Sequence, residues 1–157
     1  MTLKVRRVVT GHDAAGRAVV KIDELAGNVR AGRANHEACV IWTSEGFPID
    51  NNGDEDRNET PGTTLTNGTV FRVIEFSPGV APRNHRTDSL DYAAVISGEI
   101  DMQLDEEVVH LRAGDVLVQR GTIHNWINNG DEPCIIAFVL IAARPVRAGG
   151  KVLEAIG

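Results

Sequence analysis

The chain has 157 residues, 42% hydrophobic and 24% charged, which suits one folded domain with its own core and excludes general disorder. A formal net charge of −6 without any dense Lys/Arg stripe argues against nucleic acid or an anionic membrane as partner. Cys39 and Cys134 stand apart with no Cys-x-x-Cys, no leader-like apolar core opens the chain, and the apolar run 134–143 is too short to span a bilayer, so a cytoplasmic protein with a buried thiol at Cys134 is expected.

Residues 5–9, 11–16 and 17–22 read as strand, turn and strand, and 23–29 allow a short helical turn. Residues 38–43 are rich in β-formers. The stretch 51–68, rich in Asn, Asp, Glu, Thr and Gly, reads as a long surface loop. From Thr69 the pattern tightens. Strands are expected at 70–77, closed by Pro78-Gly79, and at 92–104, interrupted at Ser97-Gly98. Further strands are expected at 108–111, 116–119, 124–128 and 134–142, each set off by a turn. Short strands at regular spacing, with no long amphipathic helix, indicate an all-β antiparallel sandwich or barrel. The chain then divides into N-terminal strands and loop (1–68) packing on a barrel core (69–145), followed by a C-terminal tail (146–157).

Residues 93–96 and 135–141 are apolar on both strand faces. An antiparallel strand with one wet face should alternate, so a covering layer is implied: the N-terminal strands or a second subunit. A homodimer is predicted.

The chemistry is concentrated in two patterns, Gly79-x5-His85-x-Thr87-x3-Asp91-x6-Gly98 and Gly114-x6-Gly121-x2-His124-x3-Asn128. His85, Thr87 and Asp91 share strand parity, as do His124, Trp126 and Asn128, so each set can face one side. Two such strands aimed into a barrel create a polar spot in an apolar cavity. Inward histidines and a carboxylate without partners would be costly there. A metal ion would satisfy them, and so would a hydrogen-bonded His–Asp network without metal.

These patterns resemble the two signature motifs of the cupin superfamily, Gly-x5-His-x-His-x3,4-Glu-x6-Gly and Gly-x5-Pro-x-Gly-x2-His-x3-Asn. The second is one residue short between its glycines, with Gln119 where proline would fall. The resemblance covers about residues 70–142 and implies a double-stranded β-helix, or jelly-roll, barrel. Where the family places three histidines and a glutamate, this chain has His85, Thr87, Asp91 and His124. The implied metal ligands are therefore His85, Asp91 and His124, a two-His, one-carboxylate set suited to Fe(II) and acceptable to Zn, Mn or Ni. The wording of 85–92 and 114–126 is similar to small one-domain cupins found beside aromatic-degradation or polyketide-type pathways.

Around that set, Arg83 shares parity with His85 and offers a clamp for a substrate carboxylate. Gln119 and Arg120 are candidates for the pocket mouth, Thr87 for substrate contact, Trp126 for the cavity wall, and Glu75 for a place in the pocket by parity with Phe71 and Val73. His12, His36 and His110 receive no role. The function expected is a metal-dependent lyase or isomerase acting on a small oxygenated or acidic metabolite, with Asp91, Arg83 and Arg120 as catalytic candidates. A non-catalytic small-molecule binder and an Fe(II) dioxygenase are the alternatives.

Overall fold

A computed structural model describes residues 3–60 and 62–157, so Pro61 of the expected loop lies outside the described residues. The strands are β1 (Arg6–His12), β2 (Ala18–Leu25), β3 (Arg30–Ala31), β4 (His36–Glu45), β5 (Gly68–Phe76), β6 (Ser89–Ser97), β7 (Glu99–Gln103), β8 (Val108–Arg112), β9 (Val116–Arg120), β10 (Asn125–Ile127), β11 (Cys134–Ala142), β12 (Val146–Ala148) and β13 (Lys151–Leu153). The described residues contain no helix; β2 runs on to Leu25, where a helical turn was expected.

A six-stranded antiparallel sheet in the order β3-β4-β5-β11-β6-β9 and a three-stranded sheet β10-β7-β8 form the barrel. One apolar cluster joins them, drawing Val70 and Phe76 from β5, Val95 from β6, Ile100 and Met102 from β7, Leu111 from β8, Trp126 from β10 and Phe138 from β11. The Trp126 ring stands edge-on to Phe138, with centroids 5.9 Å apart, a favoured aromatic geometry. Gly98 turns β6 into β7 at φ 75°, and a side chain there would strike the Pro133 carbonyl and lie 2.9 Å from Cys134 Cα. Only glycine satisfies both the backbone conformation and the close approach.

The outer face of the large sheet is covered in part. Leu3, Ala26 and Val29 pack on Cys39, Ile41 and Val73, with Ile135 and Ala137 at the edge of the cluster. Arg7 is fully buried beneath this layer, donating to Glu24, Asp56 and the Ile41 carbonyl. The N-terminal segment thus accounts for the doubly apolar character of β11. It does not reach β6 and β9, where Tyr92 (49%), Ile96 (55%), Val116 (78%) and Val118 (59%) remain exposed.

Candidate functional site

Two backbone hydrogen bonds set the site. His85 and His124 lie opposite each other in an isolated antiparallel bridge, each N–H donating to the other's carbonyl at 3.0 Å. Their rings are therefore neighbours, with centroids 4.2 Å apart. His85 Nδ1 lies 3.0 Å from the Arg83 carbonyl, and His124 Nδ1 lies 2.9 Å from that of Thr122. A carbonyl only accepts, so both Nδ1 atoms carry the proton and both Nε2 atoms carry a lone pair. Burial holds both imidazoles below their ordinary range, His85 at about 4, so both are neutral at pH 7.

A hydrogen-bond relay runs beside them. Thr87 Oγ1 pairs with Ser89 Oγ at 2.7 Å, and Ser89 donates to Asp91 Oδ1 at 2.6 Å. Gln119 Nε2 donates to Asp91 Oδ2 at 2.8 Å and lies 3.4 Å from His124 Nε2. The strand register makes this possible, because Asp91 on β6 sits directly across from Gln119 on β9 and Leu140 on β11. Burial raises the Asp91 carboxyl above its ordinary value, while the Ser89 and Gln119 hydrogen bonds oppose the rise.

These groups line a cavity of about 80 Å³, enough for a small molecule or several waters. Of the residues singled out from the sequence, Arg83, His85, Thr87, Asp91, Gln119, His124 and Trp126 line it together. Arg120 does not; its neighbour Gln119 takes the inward position on β9 and Arg120 is exposed on the outer face. Glu75 does not either. The inward residues of β5 are Arg72, Ile74 and Phe76, so Glu75 shares the outer face with Val73 beneath the N-terminal layer, where Ser77 Oγ donates to it at 3.2 Å. Both faces of β5 are covered, and burial alone could not separate them. Asn128 is buried in a structural role, donating to the Phe76 and Glu132 carbonyls.

The cavity also holds residues that sequence reasoning passed over: Ser89 beside it in the relay, and Arg33, His36, Thr63 and Arg72 in its lining. Ser89 shares the odd parity of His85, Thr87 and Asp91, a signal present in the motif. His36 opens β4, and its ring stands edge-on to Phe76 with centroids 5.5 Å apart. Burial brings it down to about 4.

The donor set suits a metal ion only in part. The Nδ1–H···O=C support of both histidines is the arrangement that metal-bound imidazoles ordinarily have. Asp91 does not complete the set: its oxygens accept from Ser89 and Gln119, and among the described residues no three His, Cys, Asp or Glu side chains converge on one point. The three-residue ligand set expected from the motif therefore does not close in this geometry.

Comparison with known proteins follows the same lines. A cupin-domain family profile (Cupin_2) matches residues 72–141. The chain is 39% identical over 161 residues to the cupin-domain-containing oxidoreductase fogC of Aspergillus ruber, covering 96% of this chain and 79% of that protein. The chain is a cupin. It is also 35% identical over 160 residues to phomopsin biosynthesis cluster protein C' of Diaporthe leptostromiformis, covering 96% and 85% of the two chains. Among solved structures, a double-stranded β-helix protein from Klebsiella pneumoniae superposes with a TM-score of 0.52 at 21% identity, over 82% of this chain and 91% of that one. That likeness concerns the fold alone.

Proposed function

We propose that this cupin is an enzyme of the lyase or isomerase type that moves a proton on a small oxygenated metabolite. The observation that supports it most is the pair of neutral imidazoles, each held through Nδ1 so that Nε2 remains as the ring's basic nitrogen in a cavity walled by Phe76, Trp126 and Phe138. A base needs a lone pair and a fixed position, and the bridge supplies both. Nε2 of His85 or His124 would take a proton from a carbon next to a carbonyl. The Gln119 amide and the Asp91 relay would hold His124 in place. Arg83 and Thr87 would contact the substrate's oxygens.

The reading is tested with benzoylacetate, which carries an acidic C–H beside a ketone, at pH 7 in deuterated buffer. Proton NMR should show faster exchange of the α-protons, or faster decarboxylation, than in buffer alone, and His85→Asn and His124→Asn should each remove most of the acceleration. No acceleration, or acceleration that survives both substitutions, contradicts it.

A second reading is favoured by the Nδ1 support of both histidines and by relatives that are named oxidoreductases. Here His85 and His124 hold a divalent Fe, Zn, Mn or Ni ion, and with Fe(II) an oxygenase becomes the natural class. Activity unchanged by exhaustive chelation, with no metal by elemental analysis, would end it. The proposal also includes a cytoplasmic homodimer. The free, buried Cys39 and Cys134 accord with a reducing compartment, and the open apolar face of β6 and β9 accords with a second copy.

A further inference from the structure

The cavity is cationic in a chain whose net charge is −6. Several arginines elsewhere are matched: Arg6 pairs with Asp23, Arg7 with Glu24 and Asp56, Arg17 with Asp13, Arg57 with Glu45 and Glu55, and Arg112 with Glu99, while Arg30, Arg120, Arg144 and Arg147 are exposed to solvent. Arg33, Arg72 and Arg83 all line the cavity, and none of them pairs with an Asp or Glu side chain among the described residues.

Arg33 and Arg72 are instead held on backbone carbonyls, and Arg83 on the oxygen of the last residue, Gly157. Arg33 Nε donates to Ala81 at 2.6 Å, Arg72 Nη2 to Gly62 and Thr63 at 3.1 and 2.9 Å, and Arg83 to Gly157 at 3.1 and 2.9 Å. The carbonyl contacts orient the Arg33 and Arg72 guanidinium groups without neutralising them. Arg72 Nε is buried and has no hydrogen-bond partner among the described residues. A buried donor left without a partner costs free energy, and a buried cation costs more. The one carboxylate in the cavity, Asp91, is already engaged on both oxygens by Ser89 and Gln119. Burial, and then the charge of Arg83, hold Arg33 and Arg72 below the ordinary arginine value, which marks a site where like charges have been gathered. His36, His85 and His124 add no negative charge.

We propose that the Arg33–Arg72–Arg83 cluster is a subsite for the carboxylate of a small aromatic or cyclic acid. The acid's apolar body would lie against Ile74, Phe76, Phe138 and Trp126, with its reactive carbon toward His85 and His124. A planar carboxylate matches the fork of a guanidinium and supplies negative charge to a cluster of cations. This inference names the substrate class of the proton-transfer reading and rests on it for the orientation of the acid, but not for the binding itself.

The test therefore reads binding alone. The intact chain is titrated at pH 7 with benzoate and with benzamide, its neutral isostere, by calorimetry. Benzoate should bind at least about tenfold more tightly than benzamide, the scale of one or two charged hydrogen bonds. Arg72→Met should abolish that preference while leaving the melting temperature unchanged or raised, because an uncompensated buried cation has been removed. Arg33→Met, in the turn before β4, provides the same comparison if Arg72→Met does not fold. Equal affinities for the two ligands, no saturable benzoate binding, or a preference that survives in the folded variants would overturn the subsite. Benzoylacetate exchange that proceeds without any carboxylate preference would overturn it while leaving the reaction class standing.

Discussion

Replacing His36 by Phe should make the protein less sensitive to acid. The His36 imidazole is held at about 4 against an ordinary 6.5, first by burial and then by the charge of Arg33. Between those two pH values the unfolded chain binds a proton that the folded chain refuses. Stability is therefore present above pH 6.5 and is lost as pH falls toward 4. At full strength the gap corresponds to about 3 kcal/mol. The ring is only half-buried and borders a cavity that solvent reaches, so screening reduces this to about 1.5 kcal/mol. Phe keeps a ring against Phe76 but has nothing to titrate. Urea unfolding of both proteins at intervals from pH 7 to pH 4 measures the difference directly. His85 and His124 lose stability in the same direction and Asp91 in the opposite one, but these contributions are common to both proteins and cancel. The stability of the wild type should fall below that of the variant progressively as pH drops. Parallel pH profiles would refute the assignment of His36 as a neutral, charge-crowded group in the cavity wall.

Other substitutions probe separate parts of the structure. Gly98→Ala should destabilise by about 2 kcal/mol or more in denaturant unfolding, because it combines a positive φ with a backbone collision; a loss below 0.5 kcal/mol (about the scatter of neutral surface changes) would contradict the turn geometry. Trp126→Ala should cost about 3–5 kcal/mol through the cavity left between Phe76, Phe138 and His124, and a cost near zero would mean that the ring is not core. Gln119→Leu removes a hydrogen bond to the charged form of Asp91, so carbon NMR should show the Asp91 midpoint moving further up; a downward move would contradict the relay. Val116→Asp combined with Val118→Asp should convert a dimer to a monomer in light scattering, and a wild type already monomeric at micromolar concentration would end the homodimer proposal.

Most of the barrel was legible because its strands are short and bounded by turn residues. The expected strands at 70–77, 108–111, 116–119 and 134–142 coincide within two residues with β5, β8, β9 and β11, and Ser97-Gly98 marks the break between β6 and β7. Parity served where one face was wet, which is why His85, Thr87, Asp91 and Gln119 meet. On β5 parity misled, because the N-terminal layer buries its outer face. Val73 and Glu75 are enclosed although they point away from the cavity, and Arg72 points in. The cationic side of the cavity was illegible for a related reason. Arg33, His36, Thr63 and Arg72 come from stretches far apart in sequence, and only the pairing of β4 with β5, His36 opposite Phe76 and Val40 opposite Arg72, brings them together. The ligand set illustrates a further limit: spacing placed Asp91 near the histidines, but whether three ligands converge on one point depends on barrel geometry that spacing does not carry.

The proposed chemistry needs His85 and His124 as neutral bases, and long-range proton–nitrogen NMR of histidine-labelled protein at pH 7 reads that state directly. Both residues should appear as neutral imidazoles with the proton on Nδ1 and a bare Nε2, unchanged down to about pH 5 for His85. A doubly protonated ring, or a proton on Nε2, at either position would contradict the proposed chemistry.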